Sequence, residues 1–167
     1  MKLQGKYPLI YISFKDVKKF SWESCYNKTI GLIKNIFKEF LYLADTLNEI
    51  DKEDFFSIVK KQATQEDYEN SFKFLCELLY KHYGVKPIIL IDEYDQALIT
   101  AHTYGYFKEA MNFYRNFLST VLKDNEHLER AILTGILRVA KESVFSGLNN
   151  LKVDSILKNQ FNYFGLS

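Results

Sequence analysis

The chain has 167 residues, of which 47% are hydrophobic and 26% charged, and a formal net charge of +1. That length suits one domain with a sizeable core, and the near-neutral balance leaves no electrostatic footprint for nucleic acid or another polyanion. Two cysteines rule out a small disulfide-stapled fold, and no stretch approaches a membrane span or a signal-peptide core, so a soluble, cytoplasmic protein with reduced thiols is expected.

The first element is Tyr7 to Phe14, YPLIYISF, a buried-strand pattern with Pro8 tolerable only at its start. Ser13 to Lys19 reads as a polar exit, and Ser21 as the cap of a helix with Glu23 in its first turn. From Trp22 to about Asn48 the apolar positions Tyr26, Ile30, Ile33, Phe37, Phe40, Ala44 and Leu47 follow alternating steps of four and three, which predicts one long amphipathic helix. Asp51 is expected to cap a shorter segment holding Phe55, Phe56, Ile58 and Val59. Thr64 starts another helix, with Asp67 at the capping-box position, an inward stripe of Tyr68, Phe72, Leu75, Leu79 and His82, and Gly84 as its terminator. Both cysteines, Cys25 and Cys76, fall inside helical patterns and read as small core residues.

Pro87 to Asp95 reads PIILIDEYD, four branched apolar residues running into an acidic pair. An unbroken apolar run predicts a strand buried on both faces. The chain then loosens through Thr100 to Gly105, and a helix from about Tyr106 to Lys123 turns Phe107, Ala110, Met111, Tyr114, Phe117, Leu118 and Val121 inward. Glu129 to Ile136 is a third strand, Leu137 to Asn150 a turn, short helix and polar loop, and Phe161 to Phe164 a short fourth strand. Strands separated by helices place the chain in the α/β class, as a single domain over residues 1–167 with a mostly parallel sheet of about four strands.

Carboxylates at the carboxyl end of a parallel strand stand where ligands bind in open α/β sheets. Asp92 and Glu93 there resemble a Walker B element: the Asp would organise Mg²⁺ through water and the Glu would orient or deprotonate the attacking water. The bland alternative is that Asp92 or Asp95 caps the following turn. Thr134, Gly135 and Arg138 form a second constellation, in which a hydroxyl and a guanidinium at the next strand's end would face a phosphate; the alternative is a surface pair between Arg138 and Glu142. His82, His102 and His127 share no chelating spacing, and no lysine stands where a D…ExK nuclease needs one. A phosphate cradle of the form GxxxxGK[ST] is missing from these residues; of seven glycines only Gly5 precedes a lysine, and Tyr7 follows it.

Taken together, PIILIDEYD and TGILRVAKESVFSGLNNLKV resemble the AAA-ATPase-like domain family, which pairs an LIDEYD segment with a TGI-R-KES-FSGLNN segment further along. YPLIYISFKDVK, the GYF of Gly105 to Phe107 and the terminal YFGLS fit the same pattern, so the resemblance spans nearly the whole chain. It implies an incomplete P-loop NTPase core without its first strand and P-loop, often followed by a PD-(D/E)XK nuclease domain. Carried over by residue, Asp92 would hold Mg²⁺ through water, Glu93 would be the catalytic base, Thr134 would take the sensor position near the nucleotide, and Arg138 would be the phosphate-sensing catalytic arginine. Asp95 belongs to the pattern without a derivable role, and Asn149 and Asn150 would brace a loop. ATP and Mg²⁺ are then cofactors of an intact parent, with none held tightly by this chain. The second reading is a non-catalytic interaction or regulatory module, whose exposed sheet position would take a protein partner or a second copy.

Overall fold

The computed structural model describes residues 5–123 and 125–135. Within them lie three strands, β1 (Leu9–Ser13), β2 (Ile88–Asp92) and β3 (Arg130–Leu133), and five α-helices, α1 (Trp22–Glu39), α2 (Glu49–Lys60), α3 (Gln65–Tyr83), α4 (Gln96–Tyr104) and α5 (Phe107–Leu122). The strands are all parallel in the order β1-β2-β3, so the expected α/β class with a parallel sheet is met. The fourth strand expected at Phe161 to Phe164 lies outside the described residues.

β2 is the central strand, and its register fixes what its end meets. Ile12 pairs with Ile91 and Ser13 with Asp92 on one side, while Ile91 pairs with Leu133 on the other. Alternation then sorts the faces. Ile10, Ile12, Ile89 and Ile91 are all at or below 2% exposure and share one core with residues from all five helices. On the opposite face Leu9, Tyr11 and Ile132 remain 50–54% exposed. The two-sided burial expected of the strands therefore holds for one face only among the described residues.

The core is aromatic, as the composition predicts. Phe14, Phe37, Phe55, Phe72, Phe113, Phe117, Tyr68 and Tyr114 are its largest fully buried side chains. Phe14, at the exit of β1, meets Tyr114 and Phe117 edge to face at centroid separations of 5.4 and 6.4 Å, so the sheet is joined to α5 at its carboxyl end. Cys25 and Cys76 are buried and unbridged, and burial pushes the Cys76 thiol up to about 12.

Four local expectations need correction. The helix from Trp22 stops at Glu39; a 3₁₀ turn over Leu41–Asp45 follows, and α2 begins at Glu49. Thr46 and Asn48 cause the break, because short polar side chains compete for backbone partners: Thr46 Oγ1 donates to the Leu43 carbonyl at 2.8 Å, and Asn48 Oδ1 accepts from the Asp51 amide at 2.9 Å. Asn48, not Asp51, is thus the cap of α2. The residues expected to loosen from Thr100 to Gly105 instead continue α4, which buries Ala97, Leu98 and Ala101 and ends at Gly105 with φ +80°. Finally, His82 and Phe107, expected inward, are exposed, since each lies at a helix end beyond the packed turns.

Other local signals match the structure. Ser21 Oγ accepts from the Ser24 amide at the start of α1. Thr64 and Asp67 form the full capping box of α3, and Gly84 ends that helix at φ +66°. No helix among the described residues is long and apolar enough to cross a membrane.

Candidate functional site at the carboxyl edge of the sheet

The backbone first sets the edge. Phe14 N donates to the Asp92 carbonyl at 2.9 Å, Thr134 N donates to the Ile91 carbonyl at 2.9 Å, and Tyr94 N donates to the Thr134 carbonyl at 3.1 Å. Ladder pairing thus extends past the last residue of each strand, and it holds the residues after β1 and β3 on either side of Asp92. Being the last residue of the central strand, Asp92 has hydroxyl neighbours on both flanks. Ser13 Oγ donates to Asp92 Oδ2 at 3.0 Å and Thr134 Oγ1 donates to Asp92 Oδ1 at 2.6 Å.

This environment favours the ionised acid. The Thr134 hydroxyl is the chief influence, opposed by a desolvation penalty and reinforced by the Ser13 hydroxyl, the Glu93 amide and the Lys15 charge. Together they hold the Asp92 carboxyl below its ordinary range.

Glu93 leaves the strand through a left-handed backbone, with φ +51°. Few side chains tolerate that region, so the turn is imposed by its surroundings. One anchor is visible: the Glu93 amide points at Thr134 Oγ1 at 3.4 Å, so Thr134 accepts from Glu93 while donating to Asp92. Two residues on, Asp95 stands at the N-cap position of α4 but makes no side-chain capping bond there, and it is only 2% exposed. Its Oδ1 faces Gly135, where an added Cβ would lie 2.9 Å away.

The residues expected from the sequence therefore divide. Asp92, Glu93 and Thr134 come together at one edge, although they arrive from different strands. Arg138, Asn149 and Asn150 lie outside the described residues. Ser13 was passed over as part of a polar exit. LIYIS and IILID each end an apolar run in a polar residue, but only the parallel register, which the sequence alone does not give, sets those ends side by side.

A family model described as "Predicted AAA-ATPase" matches residues 1–145. The chain belongs to the AAA-ATPase-like family. A protein of Azotobacter chroococcum mcd 1, described as an uncharacterized protein in the vnfD 5′ region, is 32% identical over 90 residues, or 53% of this chain. The chain spans only 17% of that relative's length. No solved structure matches.

In chemical terms, this AAA-ATPase-like edge offers the Asp92 carboxylate with a second acid next to it in sequence, and carboxylate oxygens suit a hard divalent cation. Among the described residues no three His, Cys, Asp or Glu side chains gather as a cage.

Proposed function

We propose that this chain carries the carboxylate half of an ATPase site. Asp92 would hold Mg²⁺ through water, Glu93 would orient or deprotonate the attacking water, Thr134 would sense the nucleotide, and Arg138 would contact its terminal phosphate. The ion, when bound, would neutralise phosphate charge. Asp92 contributes a fixed anion, Thr134 ties the two acidic residues together, and Glu93 supplies a carboxylate next to Asp92 on a bent backbone.

The observation carrying this reading is the Thr134 hydroxyl, which donates to Asp92 Oδ1 at 2.6 Å while accepting from the Glu93 amide at 3.4 Å. A turn cap would need only one acidic residue and a nearby amide. Here two acidic residues are held against a third residue 42 positions beyond Asp92.

Because the 167 residues contain no GxxxxGK[ST] cradle, the chain by itself is expected to bind Mg-ATP weakly and to turn over negligibly. Isothermal titration with Mg-ATP should give heats that disappear in Asp92→Asn; binding unchanged by that substitution would defeat the proposal. Turnover by these residues that Glu93→Gln abolishes would overturn the claim that a cradle is needed. In a parent protein with a cradle, Glu93→Gln should slow hydrolysis by roughly 10²- to 10⁴-fold.

A second reading has its own observation. Leu9, Tyr11 and Ile132 are half exposed on one sheet face, as a surface that packs against protein would be. A non-catalytic interaction module predicts no heat with Mg-ATP, together with concentration-dependent self-association or partner binding through that face.

A further inference from the structure

Ser13 and Thr134 stand on opposite sides of Asp92 and do the same thing. The Lys15 amide donates to Ser13 Oγ at 3.4 Å, and Ser13 Oγ donates to Asp92 Oδ2 at 3.0 Å. Across the strand, the Glu93 amide donates to Thr134 Oγ1 at 3.4 Å, and Thr134 Oγ1 donates to Asp92 Oδ1 at 2.6 Å. A hydroxyl has one proton and two lone pairs. Once a backbone amide occupies a lone pair, the proton is free to be aimed at the carboxylate. Each flank is therefore a two-step relay ending on a different oxygen of the same acid.

A carboxylate held at one oxygen can still pivot about its Cβ–Cγ bond. Holding both oxygens from two strands fixes the plane. Such fixation is what outer partners do for metal-binding carboxylates, where they orient the ligand before the ion arrives. The parallel register makes this the place for the second donor, since Ser13 is the direct partner of Asp92.

We infer that Ser13 is a positioning residue that fixes the plane of the Asp92 carboxylate for a hydrated divalent cation, working as the counterpart of Thr134; this rests on Asp92 being the cation-organising acid of the proposed ATPase site. Ser13 itself does not touch the ion. Its hydroxyl matters and its bulk does not, so threonine should replace it and alanine should not.

The test uses the whole chain with Mn²⁺ as the probe, read through paramagnetic broadening of the Glu93 and Thr134 amide signals. Ser13→Ala should weaken the apparent affinity by about 10- to 100-fold, and Ser13→Thr should stay within about 3-fold of the parent chain, allowing for the modest cost of a conservative swap. Equal affinity in Ser13→Ala, or equal losses in Ser13→Ala and Ser13→Thr, would overturn the inference. The second arm needs no ion: ¹³C relaxation of the Asp92 side chain should show greater mobility in Ser13→Ala and restored order in Ser13→Thr. If the parent chain bound no Mn²⁺, the ATPase reading would fail while the relaxation arm still decided whether Ser13 orders Asp92. Unchanged Asp92 order in Ser13→Ala would overturn the positioning role.

Discussion

Tyr94 and Gly135 lie so close across the carboxyl edge that a Cβ on the glycine would sit 2.6 Å from Tyr94 Cε1. The same Cβ would lie 2.9 Å from Asp95 Oδ1. Only a hydrogen fits there. Gly135→Ala should therefore destabilise the fold by roughly 1–3 kcal/mol, the usual range for overpacking. Urea denaturation of Gly135→Ala, Tyr94→Ala and the double variant checks this. The double variant should recover part of the loss, and strictly additive effects would show that the two residues do not collide.

The bend at Glu93 makes a separate prediction. At φ +51° a glycine is at ease, whereas a β-branched residue is strained. Glu93→Val should lose about 1–2 kcal/mol of stability, in line with the cost of left-handed backbone, and Glu93→Gly should be neutral or slightly stabilising. Equal losses in both variants would mean that the Glu93 side chain, rather than its backbone, matters to the fold.

Asp92 links stability to pH with a definite sign. Its folded carboxyl lies below the ordinary value of 3.8, first because of the Thr134 hydroxyl. The group then contributes stability above its unfolded value, and that contribution is lost as pH falls through the lower folded value. Thr134→Val should move the Asp92 carboxyl upward in a ¹³C titration and make acid unfolding begin at higher pH. Asp92→Asn should flatten the stability profile below about pH 4, where free aspartate titrates. An acid limb identical to that of the parent chain would contradict the assignment.

Deep in the core, Thr29 and Tyr114 share a hydrogen bond of 2.5 Å between hydroxyls, and Thr29 Oγ1 also lies 3.0 Å from the Cys25 carbonyl. Removing either hydroxyl is not equivalent. Tyr114→Phe leaves Thr29 its bond to the Cys25 carbonyl, so the cost should be about 1 kcal/mol. Thr29→Val leaves the buried Tyr114 hydroxyl with the Cys25 thiol, 3.8 Å away, and should cost more, about 1–3 kcal/mol. Chemical denaturation giving the opposite order would refute this account of the network.

How much was legible beforehand differs between local and long-range features. Caps and glycine stops depend on a few adjacent residues, so Ser21, Thr64 with Asp67, and Gly84 could be read in place. The break after Glu39 was missed because Phe40, Ala44 and Leu47 keep helical spacing, and the polar residues that end the helix, Thr46 and Asn48, carry no periodic signal. α4 was missed for the opposite reason: its stretch from Gln96 to Tyr104 has few charged residues to mark an outer face. At the site, Asp92 and Glu93 announce themselves after an apolar run, and Thr134 stands out as a polar residue at the next strand's end, to which the family resemblance adds the sensor role. Ser13 needed the strand register, which is a relation between distant segments and is invisible until the pairing is known.

The distances along the chain bring out something else about the Asp92 clamp. Ser13 is 79 positions before Asp92 and Thr134 is 42 after it, so no local fragment can form both bonds. Closing such long loops carries an entropic cost before any contact is gained, which makes non-local pairings late and slow. The acid therefore receives both of its hydroxyl partners only when the two crossovers of the sheet have closed, and a partly folded chain holds a loose, single-sided carboxylate. Order at Asp92 is thus a report on the closed sheet.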